Sequence, residues 1–286
     1  MRITTLIENL VYDRGLVAEH GLSLYLEAGG KRILFDTGQT GLFLHNASKL
    51  GIRIEDVDTL VLSLGHYDHT GGLSTFLQVN KSADIFVGAG LFEAKFGSKN
   101  GFIGTKLSDE EEVELKNRIR IVDKPICLNI GVSSSEVNVP IEELYIMPKA
   151  DIFFPNDFHN KGLLLKTEEG FAEDMMEDEI YLVLKSASKQ DDEGRIGIIS
   201  ACSHRGITNI CQSAQNYFNT PLRFVIGGFH TISEPDESVD IIIGYMQNSS
   251  VEKVGVCHCS GIESYVKFVN SGIAVFYNST GKITAI

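Results

Sequence analysis

Residues 59–73 read TLVLSLGHYDHTGGL. A short apolar strand runs without a spacer into His66, Asp68 and His69, and Gly71 and Gly72 follow immediately. An H-x-D-H run on a tight loop lets neighbouring side chains point to opposite sides, so one loop can serve two ions. The paired glycines allow the chain to turn closely beneath it.

Other strands end the same way. GRIGIIS runs into ACSH, LRFVIGG into FH, and VEKVGV into CH, so His66, His69, His204, His230 and His258 all stand just past an apolar strand. In layered α/β folds ligands gather outside the carboxyl ends of strands. A single histidine there is an ordinary loop residue, whereas five of the eight in the chain, with Asp68 among them, point to a shared metal site. Neutral imidazoles and a carboxylate suit a divalent first-row cation: zinc first, with manganese or iron as alternatives. A catalytic ion takes roughly three protein ligands and keeps a position open for water or substrate. One or two ions per chain are expected.

Outward from this motif, the chain opens with the strand-like pieces RITTLIENLV, GLSLYLEAGG and KRILFDTG, with a hairpin turn at AGGK. TGLFLHNASKLGI has helical spacing, and GGLSTFLQV predicts a short helix before the strand ADIFVGAG. Residues 91–180 read as an irregular insertion around a charge-laced helix, LSDEEEVELKNRIR, and the acidic stretch 168–179 reads as solvated surface. After residue 180 the strands EIYLVLKS, GRIGIIS, LRFVIGG, VEKVGV and IAVFY alternate with the helices GITNICQSAQNYF and GIESYVKFVNSG. Strands alternating with helices behind antiparallel hairpins predict an α/β layered fold with mixed sheets. No short repeat or low-complexity linker breaks the chain, so a single domain over 1–286 is expected.

A length of 286 residues with 43% apolar and 22% charged residues supports a sizeable core without disulfide staples. The net charge of −13 disfavours non-specific nucleic-acid binding. No apolar run approaches the roughly 20 residues that cross a bilayer, and the N-terminus carries acids too early for a secretory leader. A cytoplasmic protein acting on a small molecule, without nucleic-acid or membrane partners, is the expectation. The cysteines are Cys127, Cys202, Cys211, Cys257 and Cys259; their odd number and the lack of a C-x-x-C pair argue against a disulfide framework and a zinc ribbon. An iron–sulfur carrier would need four cysteines in a tight run.

SLGHYDHTGG resembles the signature of the metallo-β-lactamase superfamily, S-H-x-H-x-D-H-x-G-G, and CSH and CHC fall where that superfamily has its later histidines. The resemblance implies an αββα sandwich of two mixed sheets flanked by helices. It assigns His66 and His204 to a first metal site, and Asp68, His69 and His258 to a second. EHGLSLYLE, LFDTGQTG, GHYDHTGGL, CSHRGITNI, IGGFH and CHCSG together resemble the branch named for 7,8-dihydropterin-6-yl-methyl-4-(β-D-ribofuranosyl)aminobenzene-5′-phosphate synthase. Two departures stand out. Leu64 occupies the place of the first histidine, and VIGGFH has no bridging aspartate, which leaves His230 as the candidate there.

The implied function is a metal-dependent hydrolase or pterin transferase acting on a phosphorylated or diphosphorylated small molecule. Asp68 would orient water and act as general base. The alternative is a non-catalytic metal- or ligand-binding protein with a degenerate first site. Asp36, at a strand end, either orients a ligand histidine or caps the helix starting near residue 40. The resemblance makes Glu8, Asn9, Glu19 and His20 pocket residues, where composition alone reads surface. Arg205, at a helix entry, is a candidate for a substrate phosphate. His45 and His159 are expected to be non-ligands, and Cys202 and Cys257 to pack beneath the ligand histidines.

Overall fold

The computed structural model describes residues 1–128, 141–187, 194–232 and 234–286. Two compact units divide the chain, one formed by residues 1–123, 160–179 and 279–286, the other by 124–159 and 180–278. Neither is continuous in sequence, so no linker marks their boundary.

In the first unit, Arg2–Ile7, Ser23–Ala28 and Lys31–Phe35 form an antiparallel meander. Gly29 and Gly30 make the turn at φ 54° and 82°, a region that costs glycine nothing. Beyond Lys31–Phe35 the sheet becomes parallel through Thr59–Leu62, Asp84–Val87 and Ile119–Ile121. Ile283–Ala285 closes the other edge against Arg2–Ile7. Thr59–Leu62 is buried along its whole length, as an interior parallel strand must be. Helices Leu42–Lys49 and Leu73–Val79 bring Phe43, Ala47, Phe76 and Leu77 to a core shared with Leu60, Leu62 and Ile85.

The stretch 91–180 is more regular than its sequence suggests, although residues 129–140 lie outside the described residues. Lys95–Gly97, Gly101–Phe102, Leu163–Thr167 and Gly170–Glu173 form a four-stranded antiparallel sheet in the first unit. The charge-laced helix spans only Asp109–Lys116, closed at its start by a Ser108–Glu111 capping box. Ile119 and Arg120, expected to end that helix, belong instead to the strand Ile119–Ile121 at the sheet edge, where tertiary pairing overrides local propensity. The acidic stretch is not all solvated surface: Asp174 and Asp178 are each 1% exposed, because both grip the buried Lys95.

In the second unit, Ile141–Met147, Tyr181–Ala187 and Arg195–Ser200 pair antiparallel. Arg195–Ser200, Leu222–Gly227, Lys253–Val256 and Ala274–Tyr277 then run parallel. Helices Ile207–Phe218, Asp236–Asn248 and Gly261–Val269 make the crossovers. Asp236–Asn248 is absent from the sequence reading. It begins after Pro235 and buries Val239, Ile242, Ile243 and Met246, one helical face, against Val225, Val254 and Phe268. The architecture is thus α/β with mixed sheets, and among the described residues no helix is long and apolar enough to cross a membrane.

Candidate metal centre

The H-x-D-H loop belongs to the first unit. His66 caps a single helical turn, Tyr67–Thr70, in extended conformation, and its carbonyl accepts from the backbone N–H groups of His69 and Thr70 at 3.0 Å and from Thr70 Oγ1 at 2.9 Å. The turn presents Asp68 and His69 from adjacent positions. Gly71 and Gly72 are needed for close approach: a Cβ at Gly71 would stand 2.1 Å from the Gln39 carbonyl oxygen, and one at Gly72 2.4 Å from that of Thr37.

Asp36 fixes this loop from the neighbouring strand end. Its Oδ1 accepts from Ser63 N at 2.7 Å, and its Oδ2 from Ser63 Oγ at 2.6 Å and His69 Nδ1 at 2.7 Å. The carboxylate therefore serves the histidine rather than a helix; the helix at Leu42–Lys49 starts from Gly41 with no side-chain cap. A donor bond from Nδ1 to Asp36 makes Nε2 the nitrogen that His69 would turn to a metal. Asp36 holds φ 62°, a left-handed conformation that aspartate tolerates better than most residues. Burial pushes the pKa of His66 down to about 3, against the opposing influence of Asp68, so the ring is neutral at physiological pH.

Of the opening hairpin residues, His20 and Asn9 reach Asp68 as a chain of contacts. His20 Nε2 lies 3.2 Å from Asp68 Oδ2, and His20 Nδ1 lies 3.4 Å from Asn9 Nδ2. Glu19 instead anchors the 39–40 turn, accepting from Gln39 N, Thr40 N and Thr40 Oγ1 at 3.1, 3.0 and 2.7 Å. Glu8 is fully buried and accepts from Leu10 N at 2.7 Å, which holds the chain leaving the first strand.

Sequence reasoning misses the ion cluster behind the loop. Lys95 Nζ donates to Asp174 Oδ2 at 2.8 Å and Asp178 Oδ1 at 2.9 Å, and Asp178 Oδ2 accepts from the backbone N–H of Gly65, just before His66, at 2.7 Å. Burial raises the Asp178 pKa although Lys95 draws it down. Leu64, beside this brace, is fully buried.

In the second unit, three of the parallel strands deliver His204, His230 and His258. The delivering turns each contain a non-glycine residue with positive φ: Ser203 at 46°, His230 at 53° and His258 at 51°. Such strained residues concentrate at functional sites. His204 Nδ1 donates to the His159 carbonyl at 2.9 Å, and His159 N returns a bond to the His204 carbonyl at 2.7 Å. The Nδ1 bond fixes the orientation of the His204 ring. His159 is itself held by Asp157, its Nε2 at 2.9 Å from Oδ1; burial lowers its pKa, but Asp157 and Glu234 raise it overall. Its role as a brace for His204 is not legible in FPNDFH, which follows no strand. His45 contacts only the Gly15 carbonyl, at 3.1 Å, among the bonds described for it.

His230 turns toward sulfur. Its Nδ1 lies 3.4 Å from Cys202 Sγ, its N–H donates to Cys259 Sγ at 3.2 Å, and its ring centre is 4.1 Å from that of His204. Cys202 and Cys257 are buried under the histidine turns.

The geometry does not favour Arg205 as a phosphate ligand. The side chain is buried, and its Nε donates to the Ala150 carbonyl at 2.6 Å. The start of the following helix is already occupied by Asp157, whose Oδ2 accepts from Thr208 N at 2.8 Å and Thr208 Oγ1 at 2.7 Å. A phosphate there would meet a carboxylate.

Residues 17–110 match the family described as the metallo-beta-lactamase superfamily. The chain is 30% identical over 282 residues to the 7,8-dihydropterin-6-methyl-4-(beta-D-ribofuranosyl)-aminobenzene-5'-phosphate synthase of Methanocaldococcus jannaschii, covering 94% of this chain and 90% of that one. It is 27% identical over 285 residues to an uncharacterized protein of the same organism, covering 99% and 100%. Its structure is similar to the crystal structure of a metal-dependent hydrolase of the β-lactamase superfamily, with a TM-score of 0.78 and 24% identity over 100% of this chain and 99% of that one; that likeness concerns the fold. By sequence and by fold, the chain belongs to the metallo-β-lactamase superfamily.

Proposed function

We propose that this protein is a metal-dependent enzyme, a hydrolase or pterin transferase, acting on a phosphorylated or diphosphorylated small molecule. The observation that carries the reading is the Asp36–His69 pair, a buried carboxylate at 2.7 Å that fixes the ring with Nε2 as its donor atom, next to Asp68 on the same turn. A carboxylate behind a ligand histidine is the usual support of a metal site. The synthase relative supplies the substrate class.

The donor set fits a divalent ion of the zinc, manganese or iron type. The superfamily resemblance assigns Asp68, His69 and His258 to the better-provided site and His66 and His204 to a poorer one, with His230 as the candidate for the missing aspartate. The ion, when bound, supplies Lewis acidity toward a phosphate oxygen. Asp68 would hold the proton of an attacking water or nucleophile at its carboxylate, and His20, 3.2 Å away, orients that carboxylate. Burial keeps His66 neutral and able to donate.

Turnover of a diphosphate or an activated phosphodiester with added metal tests the reading. Wild type should turn over, and Asp68→Asn should lose at least about a hundredfold, the usual scale of a positioned base. Equal rates in the two proteins would reject the role of Asp68. One observation favours the second reading, a binding protein without turnover: the fully buried Leu64 where the family motif has a ligand histidine. Metal binding without turnover of any phosphate ester would select it.

A further inference from the structure

The first unit contains a cavity of about 460 Å³ whose walls include Tyr67, Phe102, Asn100, Thr105, Lys106 and Gln39. We propose that this cavity seats the substrate, a planar heteroaromatic ring carrying an anionic group. The ring would lie against Tyr67 and Phe102, and the anion would meet Lys106. This deepens the reading above and rests on it for the identity of the reaction.

The far wall of the cavity is stitched to the H-x-D-H loop. Tyr67 N donates to the Ile103 carbonyl at 2.9 Å, His66 and Gly104 form an antiparallel bridge, and Thr70 Oγ1 lies 2.7 Å from Thr105 Oγ1. Residues 103–105 therefore hold register with the turn that carries Asp68, and a ligand between Tyr67 and Phe102 is positioned relative to that carboxylate.

The chemistry of the walls selects the ligand. Tyr67 and Phe102 are 38% and 37% exposed, and both turn aromatic surface to the cavity that they line. Phe102 is held edge-to-face by Phe96, with ring centres 5.5 Å apart at 82°, so it is a fixed wall. Gly104 leaves room for it: a Cβ there would stand 3.0 Å from Phe102 Cζ. Lys106 Nζ sits 5.4 Å from the Phe102 ring centre. That ammonium places a positive charge beside aromatic surface in a chain of net charge −13, a local reversal suited to an anion attached to a flat ring. The amides of Asn100 and Gln39 and the hydroxyl of Thr105 add donors and acceptors of the kind a heteroaromatic edge requires.

The test measures binding rather than turnover, on the full metal-loaded protein. Pterin-6-carboxylate is the anionic probe, and 6-methylpterin, uncharged at neutral pH, is its control. Wild type should bind the carboxylate more tightly. Lys106→Met should raise its Kd about tenfold, the scale of one charge-assisted contact, and bring the two probes level. Phe102→Leu should weaken both. Metal content should be unchanged in both variants. No probe binding by wild type, an unchanged Kd for the carboxylate in Lys106→Met, or unchanged binding of both probes in Phe102→Leu would overturn the proposal. Failure here with turnover of phosphate esters intact counts against the cavity alone. Probe binding as expected with no turnover counts against the enzymatic reading and leaves the cavity standing.

Discussion

Asp36 is held at φ 62° while its carboxylate accepts bonds from Ser63 and His69, so one residue accepts backbone strain to orient another. Asp36→Asn keeps the size but replaces one acceptor oxygen with an amide donor. Metal affinity, measured by chelator competition, should fall about 10- to 100-fold, the usual effect of losing such a partner. Unchanged affinity would mean that the pair is only structural. Lys95 presents the opposite case, a residue with no visible sequence signal. Its partners lie 79 and 83 positions away, and charge density alone reads them as surface. Lys95→Met would leave Asp174 and Asp178 buried without their cation, and a loss of about 3–5 kcal/mol in urea unfolding is expected. A loss under about 1 kcal/mol, the range of exposed pairs, would contradict that account. The histidines and Asp68 were legible because strand ends announce them; Asp36 was legible only as a choice between two roles. His159 and the lysine cluster were not, since their partners are set by tertiary folding.

Among the elements, parallel strands ending in histidine turns could be read from sequence because buried strands are continuous apolar runs. The helix Asp236–Asn248 could not be separated from its neighbours so simply, since DIIIGYM mixes a β-branched run with a glycine. Gly244 within it meets nothing within 4 Å of a built Cβ, and Gly244→Ala should raise stability by about 0.5–1 kcal/mol. A decrease would show that the space is not open. Gly71→Ala, by contrast, would drive a Cβ against the Gln39 and Tyr67 carbonyls at 2.1 and 2.5 Å. Destabilisation of about 1–3 kcal/mol, the range of overpacking, is expected, with loss of metal because the same turn carries Asp68 and His69. A variant with wild-type stability and metal content would remove the close approach from the explanation.

For the molecule as a whole, the ligand inventory is uneven. Asp68, His69 and His258 should fill first, and with Leu64 in place of a histidine the remaining donors should hold a second ion weakly. Leu64→His places an imidazole where a fully buried leucine stood, so only a bound ion would compensate its burial. Its metal content at equal free metal should rise toward two ions per chain. If wild type already holds two tightly, His230 completes the poorer site and His230→Ala should release one. The central claim is that the strand-end histidines hold metal, and it is tested most directly by elemental analysis of wild type, His69→Ala and His258→Ala purified side by side. The account predicts about one ion per wild-type chain and a marked loss in both variants; metal content equal to wild type in either variant would contradict it.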